Sequence, residues 1–247
     1  MWDDARQMNA LALTLALLAG AALAGAGLAW LVRQPAFALR EVVVTGALER
    51  TNAAYLEAVI RDDLSGTFFT LDMARARKSL AQVPWVRGVS LRRQWPRRLE
   101  VTVEEHVPFA RWNDSALVNP QGEVFSAQWS APLPAFEGPE GRAADVTARY
   151  RAWSADLRGL ALDLAEVRMS PRGGWRLRAT GAAGPLTLEL GRDEADARLA
   201  RFVSAHARTL APLARAGTQV EAVDLRYRNG FAARVPAFRE KNARPAG

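Results

Sequence analysis

Between Arg6 and Arg33 the chain carries no charged residue, and the stretch Ala10–Val32 (ALALTLALLAGAALAGAGLAWLV) is almost wholly apolar. At ~1.5 Å per residue a helix of this length covers ~35 Å, enough to cross the hydrocarbon core of a bilayer. Such a segment ties whatever follows it to a membrane surface. Trp30, close to its end, suits the interfacial ring. A cleavable signal peptide is the competing reading. Against it, the basic n-region is nearly absent, the apolar run is too long, and the small-residue site Ala22-Leu23-Ala24 falls inside that run. Residues 10–32 therefore read as an uncleaved transmembrane helix behind a short tail, 1–9. Charge does not fix its direction. Arg6 precedes the span while Arg33, Arg40 and Arg50 follow it, and the positive-inside rule loses force before a long domain.

The remainder is globular in composition. Nearly half of the chain is apolar, and its net charge is +7, carried mostly by arginine, since Lys78 and Lys241 are the only lysines. That charge favours an anionic partner without choosing among lipid, nucleic acid and acidic protein. The chain has no cysteine, which excludes disulfides, thiol chemistry and Cys-ligated zinc.

The stretch 36–106 reads as one small domain. LREVVVTG (39–46) is a β-branched strand stopped by Gly46. TNAAYLEAVIRDDLSG has Tyr55, Leu56, Val59 and Ile60 at helical spacing, with Gly66 as its stop. LDMARARKSLAQVP is a second helix with Asp72 as N-cap, Met73, Ala76 and Leu80 on one face, and Pro84 beyond its end. In VRGVSLRRQW, Val89, Leu91 and Trp95 fall on one face. LEVTVEE turns Leu99, Val101 and Val103 inward and Glu100, Thr102 and Glu104 outward. The order is βααββ, with two helices on one face of a small sheet.

Residues 107–236 read as a β-rich domain with packed helices. FARWND and ALVNPQGEVFS suggest short strands turning at Pro120-Gln121-Gly122, followed by a Pro/Gly-rich loop over 131–142. DVTARYRAWSADLRGL is an amphipathic helix with Val146, Tyr150, Trp153 and Leu157 on its stripe. A hairpin turns at Arg172-Gly173-Gly174, and PLTLELG adds a strand. Residues 193–216 form a long helix with Leu199, Phe202, Val203, His206, Leu210 and Leu213 inward, kinked or ended by Pro212. QVEAVDLRYRNGFAARV closes as a hairpin through Arg228-Asn229-Gly230, and 237–247 read as a disordered tail. The fold class is α+β: one N-terminal transmembrane helix and two domains.

Chemistry is hard to find. His106 and His206 lack partners at any catalytic or metal-binding spacing, no glycine-rich phosphate loop occurs, and Glu104 and Glu105 point to opposite faces of a strand. The cluster Arg92, Arg93, Arg97 and Arg98 around Gln94-Trp95-Pro96 admits a nucleic-acid grip or a solvated turn near an anionic membrane surface. With Trp95 in register with buried residues, the second reading fits better. The last hairpin admits either a plain closing strand or an open edge that captures an extended segment of another chain. Arg226 and Tyr227 would then supply hot-spot side chains at its rim.

The block VPWVRGVSLRRQWPRRLEVTVEEHVPFARWND, with its PWV-x-x-V strand, Q-W-P turn and VP-x-ARWN continuation, resembles the FtsQ/DivIB family of bacterial division proteins, and the βααββ order resembles a POTRA domain. SPRGGW, LELGR and VDLRY resemble further pieces of the family, so the likeness runs over most of the chain. It implies a non-catalytic divisome scaffold of the inner membrane at the septum, with its N-terminus cytoplasmic and its bulk periplasmic. Such a scaffold links early cytoplasmic division proteins to late septal peptidoglycan synthesis. It binds FtsB and FtsL through the last strands, and other divisome proteins through the POTRA and transmembrane regions. Carried over residue by residue, the resemblance places FtsB contacts at Arg226, Tyr227, Gly230 and Phe231, and at Arg172 before GGW. No cofactor, small-molecule substrate or nucleic acid is expected. Two other readings stay open on the residues alone: a POTRA-bearing subunit of an outer-membrane assembly or secretion system, and a membrane-tethered nucleic-acid binder.

Overall fold

The structure is a computed structural model, and it describes residues 5–63 and 67–236. Helix α1 (Ala5–Val32) is built from Ala and Leu, which lose little freedom in a helix. It begins before the apolar run and ends ahead of Pro35, which opens a 3₁₀ turn over Pro35–Phe37. Its apolar length, Met8–Val32, buries no side chain against the other described residues, and it is long and apolar enough to cross a membrane.

The chain divides into two compact units between Glu105 and His106. In the first, strands β1 (Glu41–Thr45), β2 (Val86–Gln94) and β3 (Arg98–Glu105) form a sheet in the order β1-β3-β2. β1 runs parallel to β3, while β2 and β3 form an antiparallel hairpin. Helices α2 (Ala53–Asp63) and α3 (Met73–Leu80) supply Leu56, Ile60, Ala76 and Leu80 to a core completed by Leu91, Leu99, Val101 and Val103. Asp72 caps α3 by accepting from the N–H groups of Ala74 and Arg75, both at 3.0 Å. Gly46 sits at φ +126°, where a Cβ would lie 2.3 Å from the Val103 carbonyl oxygen, so no other residue fits that strand end.

Two expectations fail here. Tyr55 is exposed, and only Leu56 and Ile60 of its stripe are fully buried, because the short helix offers the sheet a narrow face. Trp95 is 74% exposed: β2 ends at Gln94, and the turn that follows breaks the alternation that would have carried the indole inward. The expected helix stop, Gly66, and the tail 237–247 lie outside the described residues.

The second unit is a nine-stranded sheet. Its strands are β4 (Ala110–Trp112), β5 (Ala116–Val118), β6 (Val124–Phe125), β7 (Ala135–Glu137), β8 (Asp163–Met169), β9 (Trp175–Gly181), β10 (Gly184–Gly191), β11 (Ala222–Asp224) and β12 (Ala232–Arg234). Their order is β12-β11-β10-β9-β8-β7-β4-β5-β6. Two helices, α4 (Ala143–Arg158) and α5 (Ala195–Arg215), carry the parallel crossovers β7-α4-β8 and β10-α5-β11.

Both helices contribute to one core, into which β9 points Trp175, Leu177 and Ala179 and β10 points Leu186, Leu188 and Leu190. Trp153 of α4 stacks edge-on to Trp175 with centroids 5.2 Å apart, and its Nε1 donates to Asp196 of α5 at 2.8 Å. The stripe Val146, Trp153 and Leu157 is buried as the spacing predicts, with Tyr150 half-buried beside it.

Two further expectations need correction. The supposed loop 131–142 holds β7, which pairs in parallel with β4 on one side and β8 on the other. Three residues between Pro134 and Gly138 are too few to show alternation, and the strand is held by its neighbours rather than by its own sequence. Helix α5 also runs one turn past Pro212, which is exposed near the helix end.

A candidate partner-binding edge

Along Val223-Asp224-Leu225-Arg226, Val223 and Leu225 are buried in the core, and alternation turns Asp224 and Arg226 to the open face of the sheet. There the Arg226 guanidinium forks onto Asp224. Nε lies 2.9 and 3.1 Å from Oδ1 and Oδ2, Nη2 lies 2.6 Å from Oδ2, and the Arg226 N–H donates to Oδ1 at 3.0 Å. Arg226 holds the Asp224 carboxyl below its ordinary range, and Asp224 in turn raises the guanidinium. Gly191 makes room for this clamp. At φ +74°, a Cβ there would lie 2.7 Å from Arg198 Nη1 and 3.1 Å from Arg226 Cγ. The role of Asp224 escaped the sequence reading, although the D-x-R spacing in VDLRY is its signal.

Beyond Arg226 the chain forms an exposed loop, 226–230, before Phe231 and β12. The expectation of a long hairpin with Arg226 and Tyr227 on the edge strand is therefore corrected. β11 and β12 have three residues each, and Arg226, Tyr227, Gly230 and Phe231 lie in the connection. Two contacts hold the ends of this connection. The Leu225 N–H donates to the Glu189 carbonyl at 2.9 Å, continuing the pairing of β11 with β10, and Phe231 packs edge-on against Phe202 of α5 with centroids 6.2 Å apart.

Tyr227 is 58% exposed and makes no hydrogen bond or ring contact among the described residues. At Gly230 an added Cβ would meet open space, so the backbone does not demand glycine there. Arg172 lies apart, exposed in the β8–β9 turn that Ser170 closes through its Oγ, accepting from the Gly174 N–H at 2.8 Å. Pro171 and Gly174 of that turn line one cleft with Gly191 and Arg226, so the turn and the clamp share an end of the sheet. Arg172 itself does not line that cleft.

β12 is the terminal strand of the sheet, and all three of its residues are exposed. The Arg234 carbonyl accepts from the Glu221 N–H at 3.0 Å, which turns Arg234 toward β11 and, by alternation, the backbone of Ala233 outward. An extended segment of another chain can take up those open groups. Farther across the open face, from β10 to β7, ion pairs join neighbouring strands: Arg176 with Glu189 (2.5 Å), Arg178 with Glu166 (3.7 Å) and Arg168 with Glu137 (2.7 Å).

Neither histidine belongs to such an arrangement. His106 is buried, stacked on Phe125 at 4.1 Å, with Asn119 Nδ2 3.1 Å from its Nδ1. His206 is half-buried on α5 beside Phe202, and burial pushes its pKa down.

Comparison with known proteins gives the following. The family model "Cell division protein FtsQ/DivIB, C-terminal" matches residues 110–226, and the model "POTRA domain, FtsQ-type" matches residues 37–106. The chain is 40% identical to the cell division protein FtsQ of Burkholderia pseudomallei, over 97% of this chain and 96% of that protein. It is 38% identical to FtsQ of Nitrosospira multiformis, over 95% of this chain and 99% of that one. It is 30% identical to FtsQ of Neisseria gonorrhoeae, over 95% of each.

Proposed function

This chain belongs to the FtsQ/DivIB family of cell division proteins, and from that premise we propose that it is a non-catalytic divisome scaffold that captures FtsB, together with FtsL, along β12. The observation that carries the reading is the open backbone edge of β12 beside a fixed Arg226 and an exposed Tyr227. Strand addition supplies affinity through main-chain hydrogen bonds, and neighbouring side chains supply specificity. Arginine and tyrosine are residue types in which binding energy concentrates. Because Asp224 holds the guanidinium in place, Arg226 loses less freedom when a partner carboxylate approaches it.

In this reading α1 spans the inner membrane with the N-terminus in the cytoplasm, and both compact units work in the periplasm. The first unit serves recruitment by earlier division proteins. A nucleic-acid grip at the Arg92, Arg93, Arg97 and Arg98 cluster fits less well, since Arg98 is paired with Glu41 and Arg93 donates to the Leu71 carbonyl, which leaves few cations there for a phosphate backbone. The test is co-purification of FtsB with the full-length chain from membranes. Tyr227→Ala is expected to lower the FtsB recovered while the protein stays folded and membrane-inserted. Recovery at the wild-type level would remove Tyr227 from the contact.

A further inference from the structure

The turn Gln94-Trp95-Pro96-Arg97 keeps a large indole in the open, and nothing among the described residues covers it. Its position in the first unit gives it a use. The Arg97 carbonyl accepts from the Arg40 N–H at 3.0 Å, so the turn lies at the sheet end where the chain arrives from α1. A second connection leads the same way. Arg93 Nη2 donates to the Leu71 carbonyl at 2.7 Å, the Leu71 N–H donates to the Thr67 carbonyl at 3.0 Å, and Thr67 Oγ1 donates to the carbonyl of Val32, the last residue of α1, at 2.7 Å. Phe69, 48% exposed, belongs to this second turn and meets Phe37 edge-on at 5.2 Å.

Arg33, Arg40, Arg92 and Arg97 have no ion-pair partner among the described residues, whereas two carboxylates of the adjoining strands are engaged. Glu41 is held by Arg98 at 2.9 Å, and Glu100 accepts from Gln94 at 2.9 Å.

We propose that this end of the first unit is a lipid-contact surface: Trp95 and Phe69 enter the interface of the bilayer that α1 spans, and Arg33, Arg40, Arg92 and Arg97 meet anionic phospholipid headgroups. The tie from Val32 decides for lipid over a protein partner, because it holds the surface beside the point where the span leaves the hydrocarbon. An indole with one apolar and one polar side suits that layer, and guanidinium groups on long apolar stems reach phosphates from it. The consequence is a first unit held against the membrane rather than swinging on a tether. The inference rests on α1 spanning the bilayer.

The absence of cysteine from the chain makes the test direct. Single variants Trp95→Cys and Phe69→Cys, with Glu104→Cys near the other end of β3 as reference, are labelled with a polarity-sensitive fluorophore. The full chain is then reconstituted in phosphatidylcholine vesicles with or without phosphatidylglycerol, doped with nitroxide-bearing lipid. Flotation with the vesicles reports the span separately. Quenching at 95 and 69 is expected to exceed that at 104 several-fold and to rise with phosphatidylglycerol. Arg92→Glu combined with Arg97→Glu should abolish that rise. Equal quenching at 95 and 104 in floated protein overturns the proposal. So does a label at 95 that stays in water until another division protein is added.

Discussion

At the scale of single residues, Glu105 shows how a side chain to which the sequence assigns no role becomes structural. Its carboxylate accepts from the N–H of Thr51 at 2.7 Å, of Arg50 at 3.1 Å and of Glu49 at 3.2 Å, stitching the loop after β1 to the end of β3. Burial alone pushes this carboxyl up, but Thr51 foremost, then Arg50 and Glu49, outweigh it and hold the pKa below its ordinary value. Its stabilisation is therefore full above the unfolded-state pKa and is lost as pH falls through the lower folded value. Glu105→Gln is expected to cost about 1–2 kcal/mol at neutral pH, measured by chemical denaturation, and to flatten the loss of stability between neutral and acid pH. An unchanged acid profile would show that the stitch contributes nothing. The sequence revealed Asp72 as a cap because capping is local. It hid Glu105, whose partners lie more than fifty residues away, and it misplaced Trp95, because alternation says nothing about where a turn begins.

At the scale of elements, what could be read was whatever a segment's own period encodes. The buried stripe of α4, the inward Leu99, Val101 and Val103 of β3, and the β8–β9 hairpin all follow from periodicity. β7 does not, because a three-residue strand between two parallel neighbours is specified by those neighbours. The terminal hairpin was legible as a pair of strands, but not in its length, since Phe231 on Phe202 sets where β12 begins. The candidate edge is accordingly Ala232–Arg234 rather than VDLRY itself. Ala233→Pro removes an outward-facing N–H that β11 does not use, a substitution that edge strands tolerate. It is expected to reduce FtsB binding in a pull-down while shifting the thermal midpoint of the protein little. Wild-type binding by this variant would argue that β12 does not pair with the partner.

At the scale of the whole molecule, one apolar helix and two compact units were legible from composition and pattern, while the direction of the span was not, because the basic residues that flank it favour the side opposite to the one proposed. The proposed orientation predicts that alkaline phosphatase fused after residue 236 is active and that a fluorescent protein fused there stays dark. The reverse pair of readings would place both units in the cytoplasm and remove the periplasmic partners. A scaffold role in joining division proteins is tested by depleting the protein from the growing cells that encode it and scoring them by microscopy. Long filaments without constrictions are expected, restored to division by the wild-type chain and not by one carrying both Tyr227→Ala and Ala233→Pro. Depleted cells that keep constricting at normal intervals would contradict that role.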